Sequence, residues 1–410
     1  MSAVAQGESS LIRQTGFVLF WSARVLSTSC FQIVSVVIGW QIYALTNSTF
    51  DLGLVGLCQF LPMLLLTIPA GHVADRFDRR VIVRTCQIIE GSTAAALALA
   101  SWFDIVSPHV IFSAAALIGA CRTFEAPATA ALLPMVVSPA LLPKALALSA
   151  SAIQTATIIG PALGGLLYIA GPGHAYLFVA AFYLIAGVLI SLLPIVAPAM
   201  AREPPTLKSI FSGFGFIKSR PIILGAISLD MVAVLLGGAT ALLPVYARDI
   251  LHTNSLGLGA LRASPAVGAL LMSLVLTRWP MKTRVGAKMF GAVVVFGLGT
   301  VIFGLSTWFP LSMAALVLMG AADVVSVVVR STLVQLGTPD AMRGRVSAVN
   351  SMFIGTSNQL GEFESGMTAS LFGTVPAVVL GGAGTIVVAL LWSQLFKPLR
   401  DADRFPDRSA

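Results

Sequence analysis

Long apolar runs alternate with short polar segments along almost the whole chain. A run of about 20 apolar residues crosses a hydrocarbon core of about 30 Å as an α-helix, because each residue adds about 1.5 Å. The pattern predicts an all-α integral membrane protein. Its twelve spans lie at roughly 16–44, 52–70, 82–103, 109–134, 145–170, 175–196, 222–247, 256–276, 287–306, 309–336, 346–371 and 376–396.

The longest polar connection separates the sixth span from the seventh and divides the chain into four parts. We predict a first six-helix bundle at 1–196, a cytoplasmic linker at 197–221, a second bundle at 222–396 and a cytoplasmic tail at 397–410. Apolar residues recur in the linker at helical spacing, which is typical of a short interfacial helix, although a plain linker explains the composition equally well. They are Leu207, Ile210, Phe211, Phe214 and Ile217.

The two halves repeat one another in sequence. A shift of 201 positions aligns the fourth and fifth spans with the tenth and eleventh without a gap, and a shift of 204 aligns Arg80 with Arg284. Two parallel repeats of six helices are typical of transporters that bind substrate at the midplane between the halves. Pairs under the first shift include Gly119 and Gly320, Lys144 and Arg345, Gly160 and Gly361, and Gly165 and Gly366.

Composition and charge narrow the class of protein. With 57% hydrophobic residues and a mean hydropathy of +0.92, the chain has too few polar side chains to cover a water-soluble surface. The formal charge is +8, but placing both termini in the cytoplasm leaves Arg248 as the basic loop residue on the outer side. This bias follows the positive-inside rule, so the charge indicates orientation and not nucleic-acid binding. The polar N-terminus lacks the apolar core of a secretory signal peptide.

The sequence carries no motif for catalysis, metal binding or nucleotide hydrolysis. Its four cysteines lie in apolar runs without a CxxC pair, and its four histidines are isolated near span ends. A phosphate-binding loop and a nucleophile elbow are also missing. We therefore predict no enzyme activity, no metal site and no cofactor, and we expect transport energy to come from an ion gradient or from the substrate's own gradient.

Three segments resemble those of a known family. Gly71–Arg80, GHVADRFDRR, resembles the loop 2–3 signature of the major facilitator superfamily, roughly G-x-x-x-D-R-x-G-R-R. Gly160–Gly165 and Leu235–Leu251 are similar to the branch of exporters that includes the enterobactin exporter and drug-efflux transporters. The six-plus-six layout extends the resemblance to nearly the whole chain, and it implies two pseudo-symmetric bundles that rock about a central site.

The resemblance implies that the charged loop is a conformational gate. Asp75 would join the two halves in the outward-facing state and release them in the inward-facing state. The positive end of the helix dipole at the start of span eleven, near Gly344 to Val346, attracts such a carboxylate. In the alternative, the arginines only anchor the topology. The other residues of the gate are Gly71, Arg76, Arg79 and Arg80.

Asp78 departs from the family pattern, which has glycine at this place. Aspartate tolerates left-handed backbone angles better than most residues. The substitution therefore leaves the conformation of the turn undetermined, but it does not affect the predicted gate.

Small residues in the fifth span form a second candidate gating element. Gly160, Gly164 and Gly165 let neighbouring helices approach closely, whereas Pro161 frees a backbone carbonyl and bends the span. By resemblance this segment is the antiporter signature of the superfamily, which favours export over import. A packing face without a role in exchange is the alternative.

Charged residues inside apolar spans indicate functional sites, because their burial in lipid is unfavourable. Arg122 and Glu125 lie one turn apart on the fourth span, and Arg122 resembles the superfamily's arginine at that place. Arg122 either tunes the proton affinity of a neighbouring carboxylate or merely pairs with Glu125. For Glu90 in the third span we predict a structural pair.

The second half carries more candidate acids. We predict that Asp230, Asp323, Glu362 and Glu364 lie near the central cavity, and that two of them exchange protons. Arg262 lies at a similar depth in the eighth span and is expected to pair with either glutamate.

Together these observations predict a multi-pass secondary transporter of the cytoplasmic (inner) membrane that acts as a monomer. The predicted function is proton-coupled export of a hydrophobic or amphipathic small molecule, such as a drug or a siderophore, by alternating access. Its partners would be the small molecule, protons and the lipid bilayer, with no nucleic acid. An importer or facilitator, and a membrane sensor on the same fold that does not transport, are the alternatives.

Overall fold

The computed structural model describes Leu11 and residues 14–194 and 207–406, and every regular element in these ranges is helical. The helices are α1 (Thr15–Thr46), α2 (Thr49–Arg76), α3 (Arg79–Trp102), α4 (Pro108–Val136), α5 (Leu142–Ile169), α6 (Pro172–Ser191), α7 (Leu207–Ser219), α8 (Pro221–Leu236), α9 (Ser255–Arg278), α10 (Val285–Leu305), α11 (Phe309–Leu336), α12 (Asp340–Phe372), α13 (Thr374–Leu395) and α14 (Lys397–Arg400). After α8, short helical turns complete one span over Pro221–Ile250.

A long helix occupies each of the twelve predicted span positions. By length and composition, ten of the described helices are able to cross a membrane. The other two, α3 and α12, have 24 and 33 residues and are long enough, but charged side chains lower their hydropathy. Basic residues crowd the start of α3, whereas α12 carries the acids Glu362 and Glu364. The all-α membrane fold predicted from the apolar pattern is therefore confirmed.

Local sequence explains where the helices begin. The side chains of Ser48, Asp78 and Asn254 accept hydrogen bonds from backbone N–H groups in the first turns of α2, α3 and α9. Such caps satisfy donors that have no partner within the helix. Gly171 and Gly373 link the last two helices of each half with φ angles of 102° and 91°, which only glycine adopts without strain. These equivalent turns show the repeat in the backbone.

Two bundles form the molecule, α1–α6 and α8–α13, and equivalent helices pack alike in both. Helix α4 packs on α2, where a Cβ added at Gly119 would lie 2.6 Å from the Gln59 carbonyl oxygen. In the second bundle α11 packs on α9, with Gly320 against the backbone of Pro265. The two glycines are a repeat pair, so their conservation between halves follows from close helix contact.

Helix α7 covers part of the linker that was predicted to be either an interfacial helix or a plain connection. It packs on the second bundle, with Ile217 buried beside Val346 and Val349 and the ring of Phe214 6.4 Å from that of Phe353. The linker positions 197–206 and the end of the tail, 407–410, lie outside the described residues.

Candidate functional site

Antiparallel alternation of the helices defines two faces of the molecule. The terminal face contains the start of α1, the loop between α2 and α3, and α14; the opposite face contains the loop between α1 and α2. The bundles meet along two helix pairs, α2 with α12 and α5 with α9. The contacts within these pairs determine which face is closed.

Glycines bring the bundles together near the opposite face. A Cβ at Gly53 in α2 would lie 3.0 Å from the carbonyl oxygen of Phe363 and 3.1 Å from the Cα of Gly366 in α12. On the other side of the molecule, the Ser255 hydroxyl donates a hydrogen bond of 2.8 Å to the carbonyl oxygen of Gly165. Larger side chains at these glycines would separate the bundles.

Three residues, which we call the opposite-face clasp, add polar contacts between the bundles. The Tyr43 hydroxyl in α1 donates a hydrogen bond to the Asp249 carboxylate. Arg248 lies 3.8 Å from the same carboxylate and places its guanidinium 5.5 Å from the centre of the Tyr43 ring. Arg248 and Asp249 belong to a π-helical turn, Tyr246–Ile250, a geometry that is frequent at functional sites. The sequence showed Arg248 as the outer basic residue but did not reveal its partner.

The terminal face has no equivalent clasp. Hydrogen bonds between described residues of the two bundles all lie between the opposite face and the helix midpoints, where Gln154 donates to the Ala266 carbonyl oxygen. A Cβ at Gly344, at the start of α12, would meet no heavy atom within 4 Å. The described chain is therefore joined at the opposite face and apart at the terminal face.

A cavity of about 510 Å³ lies between the bundles at mid-depth. Its wall combines apolar surface, including Phe296 and Met319, with a small number of charged and amide groups. Of the predicted site residues, Pro161, Arg262, Asp323 and Glu362 line it. The other polar residues of the wall are Gln32, Gln154, Thr157, Thr240 and Asn358. Such a wall suits a ligand with both apolar and polar parts.

The glutamates of α12 divide into one that faces the cavity and one that does not. Glu362 also lines a neighbouring space of about 150 Å³ beside α1 and α2. Glu364 accepts a hydrogen bond of 2.8 Å from Thr368 of its own helix and is not part of either wall. Arg262 does not form the predicted ion pair with either of them, because its guanidinium donates to the Ser35 carbonyl oxygen at 2.9 Å instead.

Asp230 forms a buried ion pair that the sequence did not identify. Its carboxylate lies 2.6 Å from the guanidinium of Arg330 in α11, and both side chains are almost fully buried. Asp323 lies two turns before Arg330 on the same face of α11 and borders both the cavity and a small space next to Asp230. The signal available in the sequence was that Asp323 and Arg330 are seven residues apart, a spacing that places both side chains on one face of a helix. Asp323 therefore lies at the cavity wall, and the ion pair of Asp230 and Arg330 lies behind it.

The first bundle holds its buried charges differently. Glu125 accepts hydrogen bonds of 3.0 Å from Ser27 and from Gln87, while Arg122 stays 3.8 Å away and rests on the ring of Phe31 at 4.2 Å. A pocket of about 180 Å³ lies next to this cluster. Glu125 is therefore held mainly by neutral donors, and the i,i+3 pair with Arg122 is loose.

Glu90 does not form the structural pair that we predicted. Its side chain is completely buried, and neither carboxyl oxygen has a hydrogen-bond partner among the described residues. The sequence gave no signal for this isolation, because the neighbours of Glu90 come from three other helices.

The charged loop makes contacts within the first bundle only. Asp75 is exposed and forms no ion pair or hydrogen bond with a described residue. Asp78 caps α3 by accepting from the Arg80 backbone N–H at 2.9 Å and from its guanidinium at 2.8 Å, and these hydrogen bonds lower the pKa of the Asp78 carboxyl. The Asp78 backbone is extended at φ −60°, so this position needs no left-handed residue.

The remaining gate residues lie nearby or on α5. Gly71 and Arg76 are in the last turns of α2, and Arg79 begins α3 with its Nε buried. Gly160 and Gly164 pack against Gln32 and Ile33 of α1. Gly165 contacts α9, so the predicted antiporter segment touches both bundles. No group of three possible metal ligands occurs within the described ranges.

Comparison with known proteins agrees with this architecture. Residues 7–408 match the family described as transmembrane secretion effector. The enterobactin exporter EntS of Citrobacter koseri is 27% identical over 384 residues, covering 92% of this chain and 91% of that protein. EntS of Escherichia coli K12 is 26% identical over 390 residues, or 94% and 92% of the two chains.

Solved structures with this fold share little sequence. A bacterial homologue of the human lysosomal transporter Spinster superposes with a TM-score of 0.73 at 14% identity, covering 96% of this chain and 97% of that one. A transporter of the POT family gives 0.72 at 11% identity, with 94% and 96% covered.

Proposed function

Because the chain belongs to the transmembrane secretion effector family of major facilitator transporters, we propose that it exports a hydrophobic or amphipathic small molecule in exchange for protons. A drug or a siderophore is the substrate class, and the inner membrane of a bacterium is the location. The terminal face lies in the cytoplasm in this proposal, since it carries the basic loops. The relatives named as enterobactin exporters favour export.

The cavity between the bundles is the observation that carries the proposal. It is shut off by the glycine contacts and the clasp on one side only, which is one of the two states that alternating access requires. With the terminal face in the cytoplasm, this state takes substrate from inside the cell. Rocking of the bundles would open the opposite face and close the terminal face.

Proton coupling in the proposal rests on the charges of the second bundle. Asp230 pairs with Arg330, and Asp323 lies beside the same small space as Asp230, so two acids and one cation leave an excess negative charge when both acids are ionised. Binding of a proton removes that charge, and a substrate that enters the cavity competes with it. Asp323 is the acid in reach of both the cavity and the ion pair.

The proposed gate for the other state is Asp75. It is exposed and unpaired here, and the start of α12 is uncovered. Closure of the terminal face would bring the carboxylate to the positive end of α12, where it gains up to about 2 kcal/mol.

Transport in liposomes tests the proposal. The purified chain is reconstituted, an acidic lumen is imposed, and uptake of ethidium and of enterobactin is measured in molecules whose terminal face points outward. We expect at least one probe to accumulate until a protonophore is added. Asp323→Asn should abolish accumulation but retain downhill exchange, whereas Asp401→Asn, at an exposed ion pair, should behave as wild type.

Other results contradict proton-coupled export. Accumulation under the reverse gradient would indicate an importer, and equilibration without any gradient effect would indicate a facilitator. If neither probe moves, and Asp230→Asn, Asp323→Asn and Glu362→Gln have no cellular phenotype, the chain does not act as an exporter.

A further inference from the structure

We propose that Glu90 is a second proton-binding residue, located inside the first bundle and loaded in the present conformation. The inference deepens the proposed function, on which its transport role rests. Its first support is burial: the side chain has no exposed surface, and neither carboxyl oxygen has a partner within the described part of the chain. An ionised carboxylate at this place would lose its hydration without a hydrogen bond from the described chain to replace it, so the group is neutral and holds a proton.

No cation among the described residues forms an ion pair with Glu90. The titratable groups that face it are Cys86 of its own helix, Cys30 of α1, Tyr183 of α6, and Cys121, Arg122 and Glu125 of α4. Arg122 is engaged by the Phe31 ring and by Glu125. The Tyr183 hydroxyl is itself buried without a partner in the described chain. Glu125, in contrast, accepts two hydrogen bonds through one carboxyl oxygen and lies 3.8 Å from the Arg122 guanidinium.

A space large enough for water lies near Glu90. Gln87 lies one turn before Glu90 on α3 and donates to Glu125, and both line the pocket of about 180 Å³. That pocket has room for about six water molecules at roughly 30 Å³ each. Glu90 does not line this pocket, but Gln87, one turn away on the same helix, does, and in the proposal the carboxyl reaches this water when α3 moves. In the exchange, the O–H bond of Glu90 breaks, water accepts the proton, and the reverse step restores it.

Arg122 is suited to stabilise the anion that remains. Its ion pair with Glu125 is long, at 3.8 Å, so a small movement of α3 relative to α4 replaces that partner by Glu90. Glu90 would then release its proton when the bundle changes shape. It would bind a proton again when Arg122 returns to Phe31 and Glu125.

The sequence repeat argues that the carboxyl is not required for folding. The shift of 204 positions that aligns the third and ninth spans places Glu90 on Val294. Val294 packs against the apolar core of the second bundle. An equivalent helix therefore forms and packs with an apolar side chain at this position, which leaves proton binding as the reason for an acid in α3.

Infrared spectroscopy of the purified full chain tests the bound proton without any substrate. A protonated carboxylic acid that makes no hydrogen bond gives a carbonyl stretching band at the high-frequency end of its range. We expect the wild type to show this band near neutral pH and Glu90→Gln to lack it. The matched control is Glu364→Gln, which removes a hydrogen-bonded glutamate and should keep the band. An unchanged carboxylic-acid region in Glu90→Gln overturns the proposal.

Transport tests the exchange of the proton. In liposomes, ethidium counterflow by the wild type should vary with pH, whereas Glu90→Gln should show a weaker pH dependence and a lower accumulation driven by a pH gradient, because Asp323 still exchanges its proton. Glu90→Asp should recover part of the pH dependence. A wild-type profile in Glu90→Gln shows that the proton is never released and overturns the exchange. If the wild type moves neither ethidium nor enterobactin, the proposed function fails, and the infrared result still decides whether Glu90 carries a proton.

Discussion

The two faces of the molecule differ in state and in chemistry, since the opposite face is closed and the terminal face is open. At the opposite face, helices from both bundles touch through glycine backbones, and one tyrosine reaches across to an acid. At the terminal face, the charged loop is the denser concentration of ions, yet its contacts remain within the first bundle. Backbone packing thus holds the opposite face closed. At the open terminal face, the charged loop makes no recorded contact with a described residue of the second bundle. Closure of the opposite face therefore depends on shape, whereas in our proposal closure of the terminal face depends on electrostatics.

Replacing Gly53 by valine should have the largest effect, because the added side chain meets backbone atoms that cannot rotate away. We expect the closed opposite face to lose about 1–3 kcal/mol, or a factor of about 5 to 150 in its population. The measurement is labelling of Asn358→Cys by a membrane-impermeant maleimide, after replacement of the four native cysteines. Labelling from the terminal face should fall.

The matched control is Gly291→Val. A Cβ at Gly291 meets no atom within 4 Å, so this variant carries the same substitution in a helix without the contact. Equal labelling of both variants would show that glycine packing does not set the closed state.

Asp75→Asn should come next in effect. In the proposed outward-facing state it removes an attraction of up to about 2 kcal/mol between the carboxylate and the start of α12, or about thirtyfold in population. Transport should be crippled while membrane insertion stays normal, as measured by liposome flux and by the amount of folded protein. Asp104→Asn, an exposed loop position with φ 53° that asparagine also accepts, is the control. Normal flux in Asp75→Asn would show that the loop only anchors the membrane topology.

Tyr43→Phe should weaken the closed opposite face by about 0.5–1.5 kcal/mol, because it deletes one hydrogen bond and keeps the ring beneath Arg248. The same maleimide labelling measures it. Tyr246→Phe also deletes one hydrogen bond, to the Gly304 carbonyl oxygen, but within one bundle. If Tyr246→Phe by itself shifted the labelling, the effect would come from lost stability and not from the opposite-face clasp.

Asp78→Ala should have the smallest effect, about 0.5 kcal/mol of stability, the low end of the range for helix caps, since the pair with Arg80 is exposed to solvent. The pKa of Asp78 is lower in the folded chain than its ordinary value of 3.8. Its contribution is therefore present above that value and is lost as the pH falls through the folded pKa. Thermal unfolding in detergent should distinguish wild type from variant at about pH 7, but not in strong acid. A difference that persists in strong acid contradicts the assignment.

The sequence was most informative about elements that depend on local composition. Span positions and the repeat followed from apolar runs and aligned glycines, because lipid requires every span to satisfy its own backbone. The predicted acids lie within long helices of the bundles, but their partners were not predicted. The sequence did not identify Arg330 as the partner of Asp230, since the two residues are 100 positions apart and lie on different helices.

Two charged residues show most clearly what the sequence could not predict. Arg262 was expected to pair with a glutamate and instead donates to a backbone carbonyl oxygen in the other bundle. Glu90 was expected to have a partner and has none among the described residues. Both outcomes depend on how helices from distant parts of the chain rotate against one another, which hydropathy and spacing do not encode.

By itself the sequence determined an all-α membrane protein with two repeated halves, because hydrophobic length and glycine spacing constrain each helix separately. It also placed Asp75 in a charged loop that topology alone does not explain. Only the tertiary structure decided which face is closed, and which of the acids Asp75, Asp230 and Glu90 have a partner among the described residues. These properties arise from contacts between helices, and a contact between helices depends on the relative position of both.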